Sequence, residues 1–452
     1  MSRVRVRRAS ALLAAGLLVV ACTESSDETV ERTTTSAPSA GSTSEAVNEW
    51  ALEYTGGTAG AADPSLEPVV VGYVNQEGGV PAFPEATAAT EAAVEYINAE
   101  LGGIGGHPLE LKHCSVQAEE DGQRCGTEMV NDSRVNLVLT GAMFSGGASL
   151  YEVVTPGLPV IVGNPLSFAD FVTPGLVAFT PGGPGVFEGI AVFIATELNT
   201  PEDPAESVAI VYEDNEVGQA SFELLLKPAL DQLGITEVRA VPVSGSATAP
   251  DLQAALQAAN AAQADVIVPI VTLPLCIATY DALKALGVEP VVITTGLCSS
   301  TPMTQHLADI GESGEAPDGW YFGNYGYSFY LPDEESGMDT YIAKVTQYAG
   351  ADVQYTGFAG PQFGNVLTIA KFLNTIGPDA ITPDAIRAQI DAFEGPMMMV
   401  AGPMACGEVS PVLVALCGAE MGVEQYVDGE WVPVAMANVG RSINPGRVLA
   451  AS

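Results

Sequence analysis

From Glu67 onward, short and nearly continuous apolar runs alternate with longer stretches of helical period. This rhythm limits the fold more than any other feature of the chain. The runs are "PVVVGYV" (68–74), "PLELKHC" (108–114), "VNLVLTG" (135–141), "PVIVGNP" (159–165), "SVAIVYED" (207–214), "ADVIVPIV" (264–271) and "EPVVITTG" (289–296). Between them lie "EATAATEAAVEYINAEL", with Thr90, Val94, Ile97 and Leu101 on one helical face, then "SFELLLKPALDQLG", "APDLQAALQAANAAQ" and "CIATYDALKALG". Unbroken apolar strands alternating with helices predict an α/β fold of parallel sheets covered on both faces. A chain of 452 residues exceeds one ordinary core and suits two lobes.

Four glycines crowd between Gly102 and Gly106 in "NAELGGIGGHPLELKHC". A dinucleotide fingerprint needs G-x-G-x-x-G after a strand and opening a helix. Here the third glycine is missing, and the series follows a helix and precedes a strand. It is therefore expected to be a helix end and a turn that need positive φ.

The first residues form a separate unit. Arg3, Arg5, Arg7 and Arg8 precede the apolar "ALLAAGLLVVA" (11–21), which is too short for a permanent membrane span, and Cys22 follows. This pattern resembles a bacterial lipoprotein signal, implying cleavage before Cys22 and its lipidation (residues 1–22). An ordinary secretory signal is the alternative. Residues 23–66 begin with a Ser, Thr and acid-rich stretch that cannot bury a core, and are expected to form a tether. Trp50 and Tyr54 either pack on the domain that follows or stay with the tether. No later apolar run reaches about 18 residues.

With 55 acidic against 16 basic side chains the net charge is −39, and no basic patch is available to displace counterions. Nucleic acid is therefore excluded as a partner, and the acidity suits solubility outside the cell. Beyond Cys22, six cysteines fall into three local couples: Cys114 with Cys125, Cys276 with Cys298, and Cys406 with Cys417. An oxidising exterior permits these as disulfides, each contributing about 2–4 kcal/mol. A zinc site using His113 beside Cys114 is the rival, but CxxC is absent and His107, His113 and His306 are the only histidines. No metal or cofactor is expected.

"YINAELGGIGGHPLELKHCS", "LVLTGAMFSGGASLYEV", "LPVIVGNP", "VAIVYEDNEVGQ", "ADVIVPIV" and "DGWYFGNYGYSF" occur in this order. From about Glu67 to Val434 the chain resembles the type I periplasmic binding proteins of the leucine/isoleucine/valine-binding branch. That resemblance implies two doubly wound parallel-sheet lobes joined by a three-crossing hinge, a Venus-flytrap. It places lobe 1 at 67–183 and 325–405, lobe 2 at 184–324 and 406–440, and a tail at 441–452. The crossings fall near 181–185, 323–328 and 404–406. The implied role is that of a solute-binding lipoprotein of an ABC importer. It would be a monomer held by Cys22 on the outer face of the cytoplasmic membrane and would present a small-molecule solute to a membrane permease.

Ligands of open parallel sheets sit beyond the carboxyl ends of the strands. The candidate ligand residues there are Gln76, Phe83, Phe144, Ser145, Gly146, Gly147, Asn164, Pro165 and Leu166 in one lobe. In the other they are Asn215, Val217, Thr272, Leu273, Thr295 and Leu297, with Tyr325 at a crossing. Ser145 carries a hydroxyl, and Gly146, Gly147 and Ala148 carry backbone N–H groups at an expected helix start, a site for carboxylate or carbonyl oxygen. In the family, a serine at this place binds the ligand α-carboxylate; a plain helix-capping serine is the other reading. Phe144, Phe83 and Leu166 are expected either to wall the ligand or to belong to the core.

Two departures stand out. Relatives that bind branched amino acids carry an acid in the loop equivalent to Thr295–Leu297, where it pairs with the α-ammonium; Thr294, Thr295, Leu297 and Cys298 are all uncharged. The family's tyrosine in the "EDNEVG" segment is Val217. An unpaired buried ammonium costs several kcal/mol, so an α-amino acid is disfavoured unless Glu77, Glu213 or Glu216 supplies the charge. Each of those is expected instead to be a solvated rim acid. What remains is an amino-acid-like solute, a carboxylate or an amide with an apolar body. A sensor that signals to a membrane partner is the alternative role. A secreted enzyme is remote: nucleophile-elbow, HExxH and Walker patterns are absent.

Overall fold

The structure, a computed structural model, describes residues 49–79, 82–200, 204–288, 291–324, 337–350, 353, 357–398, 400, 404–409, 413–418 and 420–438. Cys22, Tyr325 and the tail 441–452 lie outside the described residues. Five parallel strands form the first sheet: β1 (Val69–Gln76), β2 (Leu109–Val116), β3 (Val135–Ala142), β4 (Val160–Asn164) and β5 (Leu176–Val177), in the order β2-β1-β3-β4-β5. The second sheet holds β6 (Ser207–Glu213), β7 (Glu237–Val243), β8 (Val266–Ile270), β9 (Val291–Thr295), β10 (Tyr321–Asn324), β11 (Glu420–Val427) and β12 (Glu430–Asn438). Its order is β12-β11-β10-β9-β8-β6-β7; β7 through β10 run parallel, and β11 and β12 are antiparallel. Each sheet thus reverses its strand order once, between β1 and β3 and between β6 and β8, which opens a crevice at each carboxyl edge.

Both faces of each sheet are covered, as the unbroken apolar runs require. Val71 and Tyr73 enter a core shared with the helices Pro84–Glu100 and Ala359–Ile376, while Val70 and Val74 enter the opposite core with Met129 and Leu150. In the second sheet Ile210, Val268 and Ile293 face one core, and Ala209, Val211, Ile267 and Val292 the other. The glycine series is the expected turn: Gly102, Gly103, Gly105 and Gly106 all have positive φ, and a Cβ on Gly103 would fall 2.1 Å from the His107 carbonyl oxygen. The cysteines join as Cys114–Cys125, Cys276–Cys298 and Cys406–Cys417.

Two expected boundaries are corrected by packing. The tether does not extend to residue 66. The helical residues 49–55 bury Ala51 and lay Trp50, Leu52 and Tyr54 on the first-sheet core. Tyr54 stacks on Trp50 and hydrogen-bonds the Thr368 hydroxyl at 2.8 Å, and the backbone of Thr58 and Ala62 donates to Leu101 and Asn98. Two aromatic rings give this segment the apolar area that a Ser/Thr tether lacks. Nor does the chain return to the second lobe at 406. Leu413, Ala415 and Leu416 pack with Val70, Val74 and Val160, and Ala178 exchanges backbone hydrogen bonds with Ala415 (2.8 Å) and Cys417 (2.9 Å). The chain joins the second sheet only after Gly418, at β11.

Candidate functional site

At the carboxyl edge of the first sheet, buried polar side chains brace the loops. The Asn75 amide donates to the Phe83 carbonyl (2.8 Å) and the Thr87 hydroxyl (2.9 Å), while its oxygen accepts from Ala142 N–H (2.9 Å). Gln76, nearly inaccessible, accepts through Oε1 from the N–H groups of Phe144 (2.8 Å) and Ser145 (3.1 Å). Glu119 accepts from Gly146 N–H at 2.6 Å and Ser149 N–H at 3.3 Å. The Gly146 N–H, expected to face a ligand, is therefore committed within the protein. The reason is electrostatic: a carboxylate already sits at the positive end of the helix Gly147–Val154. The Ser145 hydroxyl is half-buried and makes no hydrogen bond with the described residues.

Asn164 fastens the helix Ala359–Ile376 to β4, donating to the Phe358 carbonyl (3.1 Å) and Gln362 Oε1 (3.2 Å); its own oxygen has no partner among the described residues. Pro165 stands against Gly182 at the first crossing, where a Cβ would meet its ring carbon at 2.8 Å. Asp170 accepts from Leu166 N–H (2.8 Å), Ser167 N–H (2.7 Å) and the Tyr151 hydroxyl (2.6 Å). Burial pushes its carboxyl above the usual range, against the pull of these hydrogen bonds.

At the second sheet, Glu213 is buried and accepts from Thr272 N–H (2.7 Å), the Thr272 hydroxyl and the Asn215 amide (2.7 Å). Asn215 also caps the helix Glu216–Ala220 by accepting from Gly218 N–H at 2.8 Å. Asn215 and Thr272 are thus fastened to the frame, whereas Val217 and Leu273 are half-buried beside them. Glu213 is accordingly not a solvated rim acid. Nor is Glu77, which pairs with His113 Nε2 at 2.9 Å and accepts from the Thr87 hydroxyl. The side chain of Glu216 lies outside the described residues.

The two edges meet at an apolar cluster. Phe83, Ala86, Ala142 and Phe358 are its buried members, and Phe144, Leu166 and Leu297 pack against them. Phe83 touches Phe358 edge-on at 5.0 Å between ring centres and Phe144 at 5.6 Å. Leu297, on the turn Gly296–Ser299 after β9, is the cluster's contribution from the second sheet. Around that turn the Thr295 hydroxyl, the Ser300 hydroxyl and the Asn324 amide nitrogen are buried without partners among the described residues. Asn324 lies over Gly296, where a Cβ would fall 2.0 Å from its oxygen.

Phe83, Phe144, Leu166 and Leu297 are therefore brought together, with Thr295 alongside. Ser300, Asn324, Ala86, Phe358 and Gln362 complete this region and were not among the expected site residues. Asn324, adjoining Tyr325, had a signal in its position at the end of an expected strand. Phe358, on a connection without strand or helix pattern, had none. Chemically the arrangement is an apolar box edged by uncharged hydrogen-bonding groups. Among the described residues no group of three or more His, Cys, Asp or Glu side chains is placed to hold a metal ion, and no helix is long and apolar enough to cross a membrane.

Residues 68–407 match the family model described as periplasmic binding protein. Solved structures share the fold at low identity. A solute-binding protein of an ABC transporter from R. palustris, in complex with 4-hydroxybenzoate, is 18 % identical over 85 % of this chain and 100 % of that one, with TM-score 0.64. A substrate-binding protein of an ABC transporter from Aeropyrum pernix is 14 % identical over 86 % and 100 %, with TM-score 0.68. A leucine-binding protein from Thermotoga maritima is 13 % identical over 82 % and 99 %, with TM-score 0.62. No curated protein matches the chain. Two crossover-linked sheets meeting at their carboxyl edges define a type I solute-receptor fold. The chain belongs to the periplasmic binding proteins.

Proposed function

We propose that this chain is the extracytoplasmic solute receptor of an ABC importer, taking a small organic acid, amide or amino-acid-like solute between its two lobes. The observation that carries this reading is the apolar cluster at the facing carboxyl edges, to which Phe83, Phe144 and Leu166 come from one sheet and Leu297 from the other. Solvent-exposed on one lobe alone, such a surface would be unfavourable; shared across two lobes, it becomes a reason for them to close. Ser145, with an uncommitted hydroxyl, is assigned one of the two oxygens of a ligand carboxylate. Lobe 1 comprises residues 49–183, 325–405 and the excursion 406–418; lobe 2 comprises 184–324 and 420–438. Lipidation at Cys22 would hold the receptor, as a monomer, beside its permease. Relatives described as ABC transporter binding proteins support this role.

A thermal-shift screen of the full chain against short carboxylates, aromatic acids, amides and amino acids tests the reading. A true ligand at 100 times its dissociation constant adds about 2.7 kcal/mol, and Phe83→Ala removes that shift. A panel without any stabilising member would overturn the proposal.

A further inference from the structure

The turn after β9 is unusual in what it leaves unmet. Thr295 ends β9, Ser300 follows the turn Gly296–Ser299, and Asn324 ends the neighbouring strand β10 and covers Gly296. The two hydroxyls and the amide nitrogen are buried, and none has a partner among the described residues; Ser300 and Asn324 are 3 % and 5 % exposed. All three can donate a hydrogen bond, and none carries charge. Leu297 projects from the same turn into the aromatic cluster. The nearby acids are engaged elsewhere: Glu213 by Thr272 and Asn215, Glu77 by His113 and Thr87, and Asp170 and Glu119 by backbone N–H groups. Glu85, in the first turn of the helix Pro84–Glu100, is half-buried, and burial raises its carboxyl toward the neutral form.

Resting on the cleft reading above, we infer that Thr295, Ser300 and Asn324 form a neutral oxygen-recognising subsite, so that the receptor selects apolar-bodied acids lacking an α-ammonium over amino acids of the same skeleton. Donors already buried, and without partners among the described residues, incur no further desolvation when they meet an acceptor oxygen. A buried ammonium would find Glu213, Glu77, Asp170 and Glu119 already engaged as acceptors.

Isothermal titration of the full chain with matched pairs decides the matter: 4-methylpentanoate against leucine, and 3-phenylpropanoate against phenylalanine. The ammonium-free member is expected to bind at least ten-fold tighter. Leu297→Asp should narrow or reverse that ratio at least ten-fold, and Asn324→Leu should weaken the acid while leaving the melting point of the solute-free protein within a few degrees. Asn324→Asp gives the same readout as Leu297→Asp if the latter fails to fold. An amino acid that binds as tightly as its partner acid overturns this inference and leaves the receptor role intact. So does an acid whose affinity ignores the Asn324 substitutions. If neither these pairs nor the wider panel binds, the cleft reading falls and this inference falls with it.

Discussion

The two carboxyl edges are built on the same strand order yet differ in how their ligand-side turns treat polar groups. In the first sheet, side-chain acceptors take up the loop N–H groups: Gln76 holds Phe144 and Ser145, Glu119 holds Gly146 and Ser149, and Asp170 holds Leu166 and Ser167. In the second, the Gly296–Ser299 turn keeps a cluster of buried donors with no acceptor among the described residues. At the first edge these loop N–H groups are satisfied by side chains, although the Thr140 and Ser167 hydroxyls and the Asn164 oxygen have no partner among the described residues. The other carries hydrogen-bonding capacity that its own chain does not use. Stability and selectivity should therefore be separable by lobe, and substitutions can break or sharpen that contrast.

The largest effect belongs to the frame. Asp170→Ala strips acceptors from two backbone N–H groups and the Tyr151 hydroxyl in a buried site. It should cost about 3–5 kcal/mol in urea unfolding. Gln76→Ala, which orphans two loop N–H groups, should cost about 2–3 kcal/mol. Losses below about 0.5 kcal/mol for both would dissolve the distinction between the lobes.

The second lobe yields an effect of opposite sign at Glu188. This side chain is fully buried on the helix Gly182–Phe193, its oxygens lack hydrogen-bond partners among the described residues, and burial pushes its carboxyl up to about 9. The native state then holds a proton that the unfolded chain releases, so stability falls as pH rises from the ordinary glutamate value of 4.5 to about 9. Glu188→Gln should flatten that slope and, at pH 8, stabilise the protein by an amount on the order of 2 kcal/mol. Unfolding at pH 5 and pH 8 measures both. Equal pH slopes in the two proteins would place the carboxyl near its ordinary value.

Smallest in stability are Thr295→Val and Ser300→Ala. Neither removes a hydrogen bond to the described residues, so unfolding free energy should move by no more than about 0.5 kcal/mol. Their effect should appear instead as weaker solute affinity. A large loss of stability would show that these hydroxyls serve the fold.

Much of this architecture was legible because apolar strands buried on both faces leave an unambiguous signature. The elements that escaped lacked it. β7 is an edge strand whose residues are mostly half-exposed, so "EVRAVPV" shows no continuous apolar run. β5 has only two residues. The β11–β12 hairpin did carry a signal, Asp428-Gly429 between alternating runs, and both residues adopt positive φ as a tight hairpin turn demands. At the site, types of residue were easier to foresee than their partners. Ser145 and Leu297 follow from loop position. That Glu119 takes the Gly146 N–H depends on a contact between residues 27 apart in sequence, which no local pattern encodes.

The disulfide-closed excursion 406–417 bears on how the lobes can move. Its backbone is spliced to Ala178, just before the first crossing, and Ala405 N–H donates to the Cys417 carbonyl at 2.9 Å. Two of the connecting strands are thereby clamped into one stiff root on the first lobe. For the closure proposed above, the fulcrum of the third connection shifts to Gly418, where a side-chain carbon would strike the Phe179 carbonyl oxygen at 2.4 Å. A lever so rooted favours a swing about one axis over a loose twist, so the cleft should shut on its solute in a reproducible geometry.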